Sequence, residues 1–202
     1  MKDSPTYEEL LFESYRLQQG LKSKGIRIDM DLLSVEEILR EVYEDTNSRM
    51  IRTMDRKVVL LLTLPPGKAT KLTRNEGLQL YKAVDSLVSN AVTQQNGGVV
   101  EIRLDLPEGD FQEVSIISER NEMLFERALM VFESIEIKED DWQEYLDVAG
   151  VSYKYAKDVL QQMGGLVGCV AEKNDRMKIQ LQLYKRNAEK ENLISGAKEL
   201  LN

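Results

Sequence analysis

Apolar residues recur along this chain with two spacings, one typical of helices and the other typical of strands. A spacing of three to four residues predicts helices over residues 7–20, 34–54, 74–95, 123–135, 150–163 and 187–202. Alternating or short continuous apolar runs predict strands over residues 26–33, 57–64, 99–106, 111–118, 166–171 and 178–183. This order predicts an α+β fold: a two-layer α/β sandwich with a mixed sheet, helices packed on one face, and an additional N-terminal helix.

Local signals indicate where several elements begin and end. Ser34 followed by Glu37 has the pattern of a capping box, and Gly164 with Gly165 is typical of a helix end. The valine- and leucine-rich strand over residues 57–64 is expected to be buried, with a polar loop after it through Thr73. We divide the chain into an N-terminal helix (residues 1–25), a main domain (26–186) and a C-terminal helical tail (187–202).

Composition narrows the classes of function. The net charge of −8 and the pI near 4.9 argue against a nucleic-acid or anionic-membrane surface and favour a protein partner with basic residues. No apolar run is long enough to span a bilayer. The single cysteine, Cys169, cannot form an internal disulfide, which fits the cytoplasm or another reducing compartment, and we expect it to be a small core residue. The chain has no histidine, so it has neither a phosphohistidine acceptor nor an imidazole acid or base.

One stretch, YKAVDSLVSNAVTQQNGGVVEIRLDL from Tyr81 to Leu106, resembles the asparagine box of the histidine-kinase-like ATPase (GHKL) catalytic domain of two-component sensor kinases. Four further segments resemble this family in the same order: LLFESYRLQQG, similar to the end of the dimerisation hairpin, then IDMDLLSVEEILREV, VVLLLTLPPG and GVSYKYAKDVLQQMGGLVGCVAEKNDRMKIQLQL. The resemblance covers residues 7–183. It implies the histidine-kinase-like ATPase fold, with a remnant of the dimerisation helix at the N-terminus.

The resemblance assigns four residues to nucleotide-site positions. Asn90 stands where the family binds the Mg²⁺ that bridges the ATP phosphates. Ser118 stands at the aspartate that accepts a hydrogen bond from adenine, and Gly150 and Ser152 lie in the second glycine box, which cradles anions at a helix start. From the residues alone, Asn90 is equally a polar residue facing an empty cleft, and Ser152 a helix cap.

Several positions depart from the family pattern. Ser86 and Thr93 replace the polar and basic residues expected around Asn90. Arg120 and Glu122 replace the two glycines of the first glycine box, where side chains intrude on the cleft. An acidic stretch with Asp140 and Asp141, which would repel a triphosphate, lies where the family has its glycine-bearing lid.

Three functions follow from this resemblance. The first is a catalytically inactive pseudokinase domain that signals through protein contacts and binds no cofactor. Its expected partners are a response regulator or a kinase, with a homodimer through the N-terminal helix. The alternative is a divergent kinase domain that still binds Mg-ATP through Asn90. A third, phosphotransfer, requires an acceptor histidine that the chain lacks.

Two surfaces are candidates for the protein contacts. The N-terminal helix would expose Leu11, Tyr15 and Leu17 if no partner helix covers it. The helix from Met123 to Phe132 is the second candidate, although its apolar stripe would equally fill the vacated nucleotide cleft.

Overall fold

A computed structural model of the chain describes residues 32–53, 57–67, 69–133 and 148–185. Its elements are, in order, β1 (Leu32–Ser34), α1 (Val35–Thr53), β2 (Val58–Thr63), β3 (Lys71–Thr73), α2 (Arg74–Gln94), β4 (Gly98–Asp105), β5 (Phe111–Glu119), α3 (Glu122–Glu133), α4 (Val148–Gln162), β6 (Leu166–Glu172) and β7 (Arg176–Tyr184). Every helix and strand predicted within these residues is present. The predicted N-terminal helix, the part of the predicted strand before residue 32, the acidic stretch around Asp140 and the C-terminal tail lie outside the described residues, and the domain boundaries stay predictions.

Five strands form one mixed sheet in the order β2–β4–β5–β7–β6. β2 runs parallel to β4, and the other neighbouring strands are antiparallel. The chain passes from β2 to β4 through α2, because parallel strands need a long crossover connection. The helices pack on one face of this sheet, which confirms the predicted two-layer α+β architecture. None of the described helices is long and apolar enough to cross a membrane.

The hydrophobic core lies between the helices and the inner face of the sheet. Alternate residues of the central strands point to this face and are buried there, including Val100, Ile102 and Leu104 of β4 and Ile179, Leu181 and Leu183 of β7. The apolar stripe of α2 meets them with Leu80, Ala83, Val84, Leu87 and Val88. Ala91, at the end of this stripe, is only partly buried.

A short two-stranded ladder of β1 and β3 precedes both long helices. Ser34 Oγ accepts a hydrogen bond from the Glu37 backbone N–H at 3.2 Å, and the Ser34 backbone N–H donates one to the Glu37 carboxylate at 2.9 Å, so the predicted capping box is confirmed. Thr73 and Glu76 form a second capping box at the start of α2. The predicted polar loop through Thr73 was wrong at its end, because residues Lys71–Thr73 pair with β1 as a strand.

The prediction that β2 is a buried strand was wrong for one of its faces. β2 is an edge strand: Val58 and Leu60 enter the core, whereas Val59 and Leu61 are 52% and 45% exposed. Its apolar sequence is typical of a strand in the middle of a sheet, and strand order is not visible in a local pattern.

The outer face of the sheet carries ion pairs in its middle. Glu101 bonds to Arg103 at 2.9 Å and to Thr63 at 2.8 Å. Glu113 bonds to Lys178 at 2.7 Å, with Ser115 at 3.0 Å from the same carboxylate. Burial alone would raise the pKa of Glu113, but the hydrogen bonds from Lys178 and Ser115 outweigh it and hold the pKa below its ordinary value.

The lowered pKa of Glu113 makes part of the stability depend on pH. A carboxylate with a depressed pKa stabilises the fold above its ordinary pKa, and this contribution is lost as the pH falls through the folded-state pKa. We expect Lys178→Met to reduce the free energy of unfolding at neutral pH by about 1 kcal/mol, after allowance for partial solvent screening. The difference from wild type should shrink as the pH falls below about 4.3, the ordinary pKa of a glutamate, measured by urea denaturation across a pH series.

The matched control is Arg40→Met, which removes the exposed pair with Glu36 on α1. That substitution should cost no more than about 0.5 kcal/mol. A loss from Lys178→Met that is the same at every pH would contradict the assignment.

Candidate functional site

Asn90 lies in the last part of α2, on the side of the helix that faces the interior. Its side chain is only 5% exposed. Within the described part of the chain, its amide nitrogen Nδ2 is buried without a hydrogen-bond partner. A buried amide without a partner costs about 1–3 kcal/mol, so this is a locally unfavourable position for an asparagine.

Ser86 and Ser152 join α2 to α4. Their hydroxyl oxygens are 2.5 Å apart, and Ser152 is 5% exposed. Ser86 precedes Asn90 by one helical turn, so both residues are on the same side of α2. The two helices that flank the predicted nucleotide site are therefore in direct contact through residues at site positions.

The second glycine box forms part of a continuous helix. α4 begins at Val148, and Gly150 is buried in its first turn. The interpretation of Ser152 as the helix cap was wrong, because α4 begins a turn earlier and the Ser152 hydroxyl contacts Ser86. Thr93, which stands near the expected phosphate-side position, donates its hydroxyl to Ser89 O at 2.9 Å within α2.

The first glycine box lies at the end of β5. Ser118 is 5% exposed on the inner face of the sheet, opposite Met177 of β7. The Thr93 hydroxyl also lies 3.3 Å from the Asn90 backbone oxygen. Among the described residues, the side chains of Ser118 and Asn90 form no hydrogen bond with each other, with Ser86 or with Ser152. The structure therefore brings Ser86 and Ser152 together and leaves Ser118 and Asn90 as separately buried polar groups.

Arg120, at a glycine position of this box, is fixed by three contacts. Its Nη2 bonds to Glu122 at 2.9 Å, its guanidinium carbon lies 4.4 Å from the centre of the Phe125 ring, and its backbone nitrogen donates to Asp175 at 2.8 Å. Stacking of a guanidinium on an aromatic ring is favourable by about 0.5–1 kcal/mol at partly exposed sites. The two residues that replace glycines thus form a contact with each other.

The apolar stripe of α3 packs into the hydrophobic core of the domain. Leu124, Ala128, Val131 and Phe132 are buried. The Phe132 ring meets the Tyr153 ring edge-on at 5.5 Å, and Lys157 of α4 donates to the Val131 carbonyl at 2.8 Å. The cap of this helix was not predicted. The Asn121 side-chain oxygen accepts a hydrogen bond from the Leu124 backbone N–H at 3.3 Å, and an asparagine before an acidic first turn is a recognisable cap.

Cys169 is a core residue of β6, as predicted, and is 7% exposed. Burial raises the pKa of its thiol to about 12, and the positive charge of Arg120 offsets only part of this effect. The thiol is therefore protonated at neutral pH and is a poor nucleophile. No group of three or more acidic, cysteine or histidine side chains that could hold a metal occurs in the part of the chain that the structure describes.

A double-mutant cycle tests the serine contact between α2 and α4. Ser86→Ala and Ser152→Ala should each reduce the free energy of unfolding by about 1–2 kcal/mol, because each removes the hydrogen bond between the two hydroxyls. The double variant should lose about 1 kcal/mol less than the sum, as measured by urea denaturation. Ser152→Ala combined with Thr93→Ala is the control and should be additive. A coupling energy near zero for Ser86 with Ser152 would contradict the contact.

Comparisons with known proteins agree on the fold. No protein-family model matches the chain. No curated protein matches its sequence either. Among solved structures, the Acinetobacter baumannii histidine kinase AdeS superposes with a TM-score of 0.53 at 13% identity, over 88% of this chain and 78% of that one. The mycobacterial sensor histidine kinase MprB gives 0.54 at 16% identity, over 77% and 97% of the two chains.

Full-length ShkA, solved in complex with AMPPNP, gives a TM-score of 0.57 at 16% identity, over 92% of this chain and 41% of that one. Sequence identities this low support a shared fold and say nothing about a shared function. The resemblance inferred from the sequence is thereby confirmed at the level of architecture: the described domain has the histidine-kinase-like ATPase fold of sensor kinase catalytic domains.

Proposed function

We propose that this domain is a catalytically inactive relative of sensor kinase catalytic domains that signals through protein contacts without binding ATP. The observation that carries the proposal is the contact of Arg120 with Glu122 and Phe125. In a nucleotide site these two positions are glycines that let the backbone approach the ligand. Here they hold a charged pair and a cation–π contact.

The burial of the remaining site positions supports the same proposal. Asn90, Ser118 and Ser152 are each 5% exposed, so none presents its polar atoms to an open cleft. Mg²⁺ bound with a nucleotide needs several oxygen ligands in octahedral geometry. Asn90 offers one side-chain oxygen, and its neighbour Ser86 is engaged with Ser152. The residues present do not fit a bound Mg-ATP.

A specific observation keeps the ATP-binding alternative as a second candidate. The Asn90 amide nitrogen lacks a hydrogen-bond partner in the described structure, and a buried polar group of this kind calls for an explanation, for which a bound ion or a functional role is one candidate. ShkA, a structural relative, was solved with AMPPNP. A divergent site in this chain would require α2 and α4 to separate at the two serines.

Calorimetric titration with Mg-ATP separates the two candidates. We expect the wild-type chain to bind more weakly than about 1 mM, because no cleft-facing ligands remain. The Arg120→Gly, Glu122→Gly double variant, checked for its thermal unfolding, tests whether these side chains exclude the nucleotide. A gain of binding in that variant would support exclusion by the side chains.

Asn90→Ala is the matched control, because it removes the metal-ligand position without altering the glycine box. Wild-type binding of Mg-ATP at micromolar affinity that is lost on Asn90→Ala would overturn the proposal of an inactive domain and establish the ATP-binding alternative. Binding that Asn90→Ala leaves unchanged would place a nucleotide elsewhere on the domain and contradict both.

The partner we propose is a response-regulator receiver or a kinase. Support comes from the sensor kinases that share the fold and from the acidic surface charge, which favours a partner with basic residues. We expect immobilised chain to bind a receiver or kinase domain of its own host in a way that weakens with added salt and does not change with Mg-ATP. Binding that appears only with nucleotide would contradict the proposal.

A further inference from the structure

The edge strand β6 presents an apolar outer face interrupted by a gap. Leu166 and Val170 are 59% and 41% exposed, and Gly168 lies between them on the same face. A Cβ atom placed on Gly168 would meet no atom within 4 Å. A shallow depression lined by Leu166, Val167, Gly168, Gln180 and Gln182 marks the place.

The free edge of β6 is unprotected against pairing. β7 is the only strand that pairs with β6 in the described structure. Edge strands usually carry a charged side chain or a proline that discourages further strands from adding. Between Leu166 and Ala171 this strand has neither, and its first charged residue is Glu172 at the end.

The outer face of β6 is complementary to itself. When two copies run antiparallel with Gly168 facing Gly168, Leu166 of each copy lies opposite Val170 of the other. The four apolar side chains then surround the two glycines, where there is room for them to lean inward. A symmetric register centred on Cys169 would instead put Leu166 opposite Glu172, and one centred on Val167 would put Val170 opposite Gly164.

We propose that β6 is a dimerisation edge, at which two copies of this chain join their sheets through antiparallel β6–β6 pairing centred on Gly168. The contact supplies backbone hydrogen bonds along the strand and one apolar cluster on the outer face. It is independent of the N-terminal helix and of the nucleotide-site positions.

The small size of the contact determines its strength. Stable interfaces bury about 1,200 Å² or more, and one strand pairing with a four-residue cluster is smaller, so the dimer is weak and forms at about 100 μM. Each copy has a net charge of −8, so the two repel one another at long range. Added salt screens this repulsion and strengthens the dimer, whereas it would weaken the binding of a basic partner.

Sedimentation equilibrium of the full chain, from about 10 to 500 μM at low and high salt, tests the proposal. We expect reversible dimerisation that strengthens with salt. Val170→Glu should weaken it at least about tenfold by placing a charge opposite Leu166, while Lys178, which faces residue 170 across the ladder, stabilises the new carboxylate within the monomer.

The matched control is Val59→Glu, the same substitution at a 52% exposed site on the opposite edge of the sheet. It should leave dimerisation unchanged. Thermal unfolding establishes that both variants fold. A chain that stays monomeric throughout the range, or a dimer that Val59→Glu weakens and Val170→Glu does not, would overturn the proposal. A dimer insensitive to both variants, as expected for pairing through the N-terminal helix, would overturn it equally.

The register has its own test. Leu166→Lys alone should also weaken the dimer, because lysine then faces Val170. An equimolar mixture of the Val170→Glu and Leu166→Lys chains should associate more tightly than either alone, since one contact becomes a Lys–Glu pair and the other stays apolar. A mixture that associates no better than its components would refute the pairing of residues 166 and 170.

Discussion

The burial of one apolar face of the sheet under α2 and α4 is the interaction on which the rest of this structure depends. Each fully buried leucine or isoleucine stabilises the fold by about 1.5–3 kcal/mol, and the inner face and the α2 stripe contribute many of them. The Ser86–Ser152 hydrogen bond contributes about 1 kcal/mol, and the exposed ion pairs contribute less. The polar contacts therefore select how the two helices meet, and the apolar burial holds them there.

The same burial determines the surroundings of the residues that the resemblance assigns to nucleotide-site positions. An active site needs polar groups that converge on open space. In this domain the helices approach closely enough for two serines to touch, and α3 packs its apolar side against α4. Replacing glycines by Arg120 and Glu122 is compatible with such packing because each side chain finds a partner beside it. These contacts are the ones on which the proposal of an inactive domain rests.

Periodicity predicted the long helices and most strands because their apolar stripes are repeated several times. β3 was not predicted, because a three-residue strand of sequence Lys-Leu-Thr is too short to show a strand pattern. The exposure of Val59 and Leu61 was not predicted either, because it depends on the position of β2 at the edge of the sheet, and strand order is a property of the whole sheet. The site residues stay predictions, and the contact of Ser86 with Ser152, which are distant in sequence, appears only when the two helices are packed. The helix cap at Asn121 was predictable from the sequence, because an asparagine stands directly before an acidic first turn, but it was not predicted.

The β1–β3 ladder has a consequence for how rigidly the domain is assembled. α1 and α2 each begin at the residue after a ladder strand, and both starts are capped by a hydroxyl and a glutamate. The ladder therefore sets the rotational phase of both helices at once. One residue inserted between Thr73 and Arg74 would turn α2 by about 100° about its axis and carry Leu80 and Leu87 away from the sheet. Loops elsewhere can lengthen during evolution at little cost. At these two strand–helix junctions, an insertion or deletion would rotate the apolar stripe of the helix away from the core, so the junction lengths are constrained.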